Sequence, residues 1–295
     1  MKPYTIGALG LAGLALGAAA WMYHAKTPSQ PPHMYTTALP LPKHAPAPAA
    51  EKQEVASKGE LLTLPAGVSG KKEPCADVTA SAVQLSLREP VTVLCSGTAD
   101  KSWLIVYSLS RKTPILTLQK LHGPFGETER SKEFHEETVI EAPYRSKLED
   151  YAQRSRAGAY YDRGHLVPAA DVPQVPQYAQ VMEDTFSLAN IAPQNPEFNR
   201  GTWAKSVELA TRKYARRNPD HDIYVYTGVS GIMDQVGGVT VPGFFYKIVI
   251  DKNTNKSWAY HLPNSTAATA VLNTQGLYTV EQLASLITDY QLTLQ

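Results

Sequence analysis

The chain has 295 residues, 43% of them hydrophobic and 19% charged, with 28 lysines and arginines set against 27 acidic residues. That is enough apolar material for one large domain or two small ones, and it excludes a fully disordered chain. A net charge of +1 gives no global field for nucleic acid or a membrane, so such a partner would have to be recognised by local patches.

Residues 4–23 form a stretch of twenty without a charge, rich in Leu, Ala and Gly and preceded by Lys2. At helical rise such a stretch covers the hydrocarbon core of a bilayer. Ala18, Ala19 and Ala20 also offer a small-residue cleavage site, so 1–26 reads either as a signal anchor or as a removable signal peptide. The first arginine is Arg88, which argues against an arginine-rich mitochondrial presequence. Seven prolines lie between Thr27 and Ala50, and 27–72 reads as a Pro-rich flexible linker. Residues 73–295 are then a folded domain. The expected location is the periplasmic side of a bacterial inner membrane, held there by the N-terminal segment, or outside the cell if that segment is cleaved. Two cysteines are too few for a disulfide scaffold or a four-thiolate zinc site. On the exported side Cys75 and Cys95 are expected to pair, and closing that loop contributes about 3 kcal/mol.

Within the folded region, 103–108 and 114–118 are β-rich runs joined by Arg111-Lys112-Thr113, the pattern of a hairpin. Further strands are expected at 185–191, 223–229, 244–250 and 258–262, with turns at Gly237-Gly238 and Asp251-Lys252-Asn253. A helix is expected over 201–217, burying Trp203, Val207, Ala210 and Tyr214 on one face. Thr279-Val-Glu-Gln282 has the capping-box pattern that begins a C-terminal helix. Strands and helices do not alternate regularly. The expected class is therefore α+β, a mixed and largely antiparallel sheet core flanked by helices.

The residues that suggest chemistry lie between Asp162 and Glu208. Asp162-Arg163-Gly164-His165 is followed by Asn190-Ile-Ala-Pro-Gln194 and by Phe198-Asn199-Arg200-Gly201-Thr-Trp203. Hydrolysis of an anionic ester needs a base to activate water and cations to hold developing charge. A histidine suits the first task, and Arg163 and Arg200 can grip phosphate bidentately. Asparagine oxygen is a hard neutral ligand suited to magnesium, and Asn199 just before the helix is placed to cap it while facing outward. The set reads as phosphodiester hydrolysis. Lys205, Arg212, Lys213, Arg216 and Arg217 make the following helix basic, either as a solvated face or as a seat for a phosphate backbone. His122, His135, His221 and His261 show no ligand spacing and read as structural or surface residues.

These motifs, DRGH at 162–165, LANIAPQ at 188–194 and FNRGxW at 198–203, resemble those of the DNA/RNA non-specific endonucleases. Weaker echoes, among them Asp150-Tyr151 and Tyr226-Thr-Gly228, extend the resemblance over about 102–294. It implies a ββα-metal active site in which His165 is the general base and Asn199 is the one direct protein ligand of magnesium, or of manganese in its place. It implies that Asn190 hydrogen-bonds near the histidine, that Arg163 holds the phosphate or the local loop, and that an upstream arginine assists, with Arg130 the candidate. Asp162 reads as structural. Relatives place a glutamate eight residues after the metal asparagine. Here that position is Val207, and Glu208 is one step later, about 100° round an ideal helix. Either Glu208 does not orient the metal's waters, or a π-bulge restores its register. DNA and RNA are the implied substrates, with little sequence preference, and the resemblance leaves room for a homodimer and a protein inhibitor. The alternative is a tethered nucleic-acid-binding or assembly module that keeps the fold without the catalysis.

Overall fold

A computed structural model describes residues 61–64, 75, 78, 83–98, 101–123, 125, 133–173 and 175–294. The anchor or signal segment at 1–26 and the seven prolines of the linker lie outside these residues. Among the described residues no helix is long and apolar enough to cross a membrane.

The centre is a six-stranded sheet in the order β10-β9-β8-β5-β4-β3, in which every ladder is antiparallel. Its strands are β3 (Val91–Thr98), β4 (Lys101–Ser108), β5 (Thr113–Lys120), β8 (Ile223–Val236), β9 (Val239–Asp251) and β10 (Lys256–Pro263). Strand β4 shows why the apolar runs are continuous. Leu104 and Val106 join one core with Leu116, Leu118, Tyr226 and Ile248, whereas Trp103, Ile105 and Tyr107 join another on the opposite face. Side chains alternate across a strand, so burial on both faces removes the usual apolar-polar alternation.

A small antiparallel sheet of β1 (Leu61–Leu64), β2 (Val83–Ser86) and β11 (Gln291–Leu294) is ordered β1-β2-β11. Strand β1 falls inside the span read as linker, so Leu61–Leu64 is β-structure. The first core also takes in Leu85 of β2, Leu292 of β11 and Leu283 of helix α6 (Val280–Leu286), whose Thr279–Gln282 capping box forms as expected. Cys75 and Cys95 are disulfide-bonded with Cα atoms 5.6 Å apart, tying the segment before β2 to β3.

The other face of the sheet carries a two-stranded ribbon, β6 (Asp162–His165) with β7 (Ile191–Gln194), and the helix that follows it. The expected strand over 185–191 does not form. Leu188–Asn190 is a 3-10 turn, and only from Ile191 does the chain extend and pair with β6. The fold is thus α+β, with an antiparallel core and the ribbon and helix packed on it.

Candidate active site

Strand β6 presents Arg163 and His165 on one face and Asp162 and Gly164 on the other, by simple alternation. Its register with β7 pairs Asp162 with Gln194 and His165 with Ile191. Gly164 is required by close approach, because a Cβ there would lie 2.6 Å from the Cβ of buried Gln194. At the end of β7 the chain turns into α3 (Pro196–Phe198). Asn195 caps this start, its Oδ1 accepting from the backbone N–H groups of Glu197 and Phe198 at 3.1 and 3.0 Å. The cap is therefore Asn195, and Asn199 lies within the helix.

Asn199 is held by Asp162. Its Nδ2 donates to Asp162 Oδ2 at 3.0 Å, while Arg200 grips the same carboxylate through Nε at 2.8 Å and Nη2 at 2.5 Å. A carboxylate only accepts, so the amide nitrogen of Asn199 must face it and the Oδ1 must face away. Asp162 thereby fixes which end of the amide is offered to a ligand. The same contact occupies the fork of Arg200, which the sequence suggested for phosphate. The hydrogen bond and the charge of Asp162 hold that guanidinium above its ordinary pKa.

Asp162, Arg163, Asn199 and Arg200 line a pocket of about 350 Å³, with Phe134, Leu148, Tyr151, Ala152 and Tyr161 on its walls. The Arg163 guanidinium lies over the Phe134 ring, 4.2 Å from its centroid. His165 is half-buried beside this pocket, its ring 5.5 Å from Phe134 and 4.9 Å, edge-on, from Phe186. Tyr151 anchors the floor by donating to the Ile191 carbonyl at 2.9 Å, and burial holds its phenol far above the usual range. Asp150 accepts from Gly238 N–H in the β8–β9 turn at 3.0 Å, which explains the Asp150-Tyr151 echo structurally.

Asn190 is fully buried away from the pocket wall. Its Oδ1 accepts from Val167 N–H, and its Nδ2 donates to the carbonyls of Val167 and Thr185, each at 2.9 Å. It positions the chain just after His165 and does not itself line the pocket. Arg130 lies outside the described residues.

The helix continues as a π-helical run, Asn199–Glu208, kinked at Gly201 (φ −99°, ψ −105°), and then as α4 (Leu209–Arg217). A π-turn bonds i to i+5 and takes up about one more residue than the 3.6 of an α-turn. The buried positions accordingly become Trp203, Val207, Thr211 and Ala215, while Ala210 is exposed, contrary to the α-periodic expectation. Glu208 does not line the pocket. Glu208 is buried 3.7 Å from Arg212 Nη1, which also contacts Asp171 at 2.9 Å, and Asp171 accepts from Gln119. Burial acts to lower the Arg212 pKa, but Asp171 and Glu208 outweigh it. Burial depresses the nearby Lys247 ammonium despite the same two carboxylates. Arg212 is therefore an internal ion-pair residue, and Lys205, Lys213, Arg216 and Arg217 remain as the exposed basic face.

Sequence reasoning missed the aromatic surroundings of His165. Phe134 and Phe186 stand far from it in the chain and share no spacing with it, so no local signal marked them. It also undervalued Asp162, whose adjacency to the motif was visible but whose partner was not.

The family model for DNA/RNA non-specific endonuclease matches residues 97–293. Bovine mitochondrial endonuclease G is 31% identical over 167 residues, covering 50% of this chain and 52% of that protein. Nuclease C1 of Cunninghamella echinulata var. echinulata is 29% identical over 174 residues, covering 52% of this chain and 64% of that protein. The chain thus spans about half to two thirds of the length of these relatives. The crystal structure of the EndoG/EndoGI complex aligns at 24% identity with a TM-score of 0.46, covering 61% of this chain and 83% of that one.

Proposed function

The chain belongs to the DNA/RNA non-specific endonuclease family, and from that premise we propose that it hydrolyses phosphodiester bonds of DNA and RNA with little sequence preference. The observation that carries the reading is the Asp162–Asn199 contact, which turns Asn199 Oδ1 away from the carboxylate in a pocket also lined by Arg163. His165, on the same face of β6 as Arg163, takes a proton from the attacking water. Arg163 binds the phosphate, with its guanidinium braced on Phe134.

Among the described residues no three His, Cys, Asp or Glu side chains cluster as a metal cage. A magnesium ion, or manganese, suits a site with a single neutral oxygen donor because it keeps several waters and completes its shell with phosphate. Asn199 Oδ1 would hold it. Lewis-acid stabilisation of charge on the phosphate is what such an ion supplies when bound. The chain's cysteine pair supports export, because disulfides persist outside the reducing cytosol. We place the protein on the periplasmic face of a bacterial inner membrane, or outside the cell if 1–26 is removed.

The test is cleavage of plasmid and RNA by the full chain with magnesium and with EDTA, alongside His165→Ala. Metal-dependent nicking that is lost in His165→Ala supports the reading. Activity that survives His165→Ala places the base elsewhere. A folded chain that binds DNA but never cleaves it is the binding module instead.

A further inference from the structure

The loop 152–161 joins helix α1 (Leu148–Tyr151) to β6, and the proposed hydrolysis does not use it. Tyr160 in this loop exposes 55% of its surface. The Arg154 guanidinium lies over its ring, 4.2 Å from the centroid, and donates through Nη1 to the Gly158 carbonyl at 2.8 Å. The loop's shape is tightly specified. Ser155 N–H donates to Ala159 O at 2.8 Å, Gly158 N–H to Ser155 O at 2.9 Å, and Ala159 N–H to Ser155 Oγ at 3.1 Å. Gly158 turns at φ +84°, a conformation glycine adopts without penalty. Ser155 bridges to Val236, and Arg156 N–H donates to Gln235 O at 3.0 Å, which pins the loop to β8.

An open aromatic ring is thus kept on a braced loop with a cation stacked on it. Among the described residues neither Arg154 nor Arg163 is paired with a carboxylate. The next residue, Tyr161, lines the pocket with Arg163 and Asn199, which puts the platform one residue along the chain from the pocket wall. We propose that Tyr160 and Arg154 form a stacking platform for an unpaired base of single-stranded DNA or RNA, on a strand that continues from the phosphate at Arg163. The substrate of this platform rests on the nuclease reading above. Phenol rings and guanidinium planes both stack on bases, and every base has such a face, so the contact adds affinity without sequence preference. Bases of a duplex are already stacked on one another. The platform therefore favours single strands.

The experiment is fluorescence anisotropy of a labelled oligo(dT) titrated with the full chain in EDTA, so that binding is read apart from cleavage. Tyr160→Ala weakens binding about tenfold, within the range that one stacked base contributes, and Tyr160→Phe restores it. An abasic strand of the same length binds the wild type and Tyr160→Ala alike, because its phosphates remain. Equal oligo(dT) affinity in wild type and Tyr160→Ala, equal weakening of the abasic strand, or no oligo(dT) binding by the wild type each overturns the platform. Tyr160-dependent binding in a chain that never cleaves would refute the nuclease reading and leave the platform standing.

Discussion

Asn190→Ala tests whether the geometry after His165 is a matter of buried hydrogen bonds. The side chain is fully buried and makes three bonds of 2.9 Å, to Val167 N–H, Val167 O and Thr185 O. Truncation leaves one donor and two acceptors without partners, at about 1–3 kcal/mol each. A water entering the vacated space can restore part of this, since it makes two to four bonds of its own. The expected loss is about 3–5 kcal/mol, read as a lower urea midpoint with an unchanged slope. Asn190→Asp should be at least as damaging at neutral pH, because it turns a carboxylate oxygen towards two carbonyls. Cleavage should fall in both variants even under conditions where they remain folded, because residues 166–167 follow the proposed base directly. A loss below about 1 kcal/mol for the alanine variant, or wild-type stability for the aspartate, would refute this account of the residue.

Gly164→Ala drives a Cβ against Gln194 and should cost about 1–3 kcal/mol in thermal or chemical denaturation, with Gln194→Ser in the same chain relieving part of it. Val207→Glu, the change that would place a carboxylate at the usual family position, puts it among Phe198, Trp203 and Phe245. It should destabilise by more than about 3 kcal/mol rather than raise activity, and a stable, faster variant would contradict the π-register. Arg212→Met removes the guanidinium that pairs with Asp171 and Glu208 and should cost about 3–5 kcal/mol by urea unfolding, and a neutral result would show the network to be dispensable. Burial pushes His261 down to about 4 from 6.5. The unfolded chain then binds more protons between those values, so stability is fully present above pH 6.5 and falls by about 3 kcal/mol as pH drops to 4. In His261→Gln the slope across that window should be shallower than in the wild type, and identical slopes would remove His261 from the account.

What the sequence determined by itself was local. The hairpin of β4 and β5, the Gly237-Gly238 turn, the Thr279 capping box and the DRGH and FNRGxW motifs all depend on residues close together in the chain. Tertiary structure decided the rest, because the deciding partners are distant. Which end of the Asn199 amide faces outward depends on Asp162, and the fate of Arg212 and Glu208 depends on Asp171, all from another part of the chain. The 185–191 run has strand-forming residues, but Asn190 bonds to 167 and 185 within a 3-10 turn, which leaves only Ile191–Gln194 extended. The helix shows the limit most directly. Reading Ala210 as buried assumed a uniform α-repeat, whereas the π-run widens the turn: Thr211 and Ala215 are buried, Ala210 is exposed and Tyr214 is half-buried. Periodicity alone carries no information about that widening, since α- and π-turns use the same residues and differ only in which carbonyl each N–H reaches.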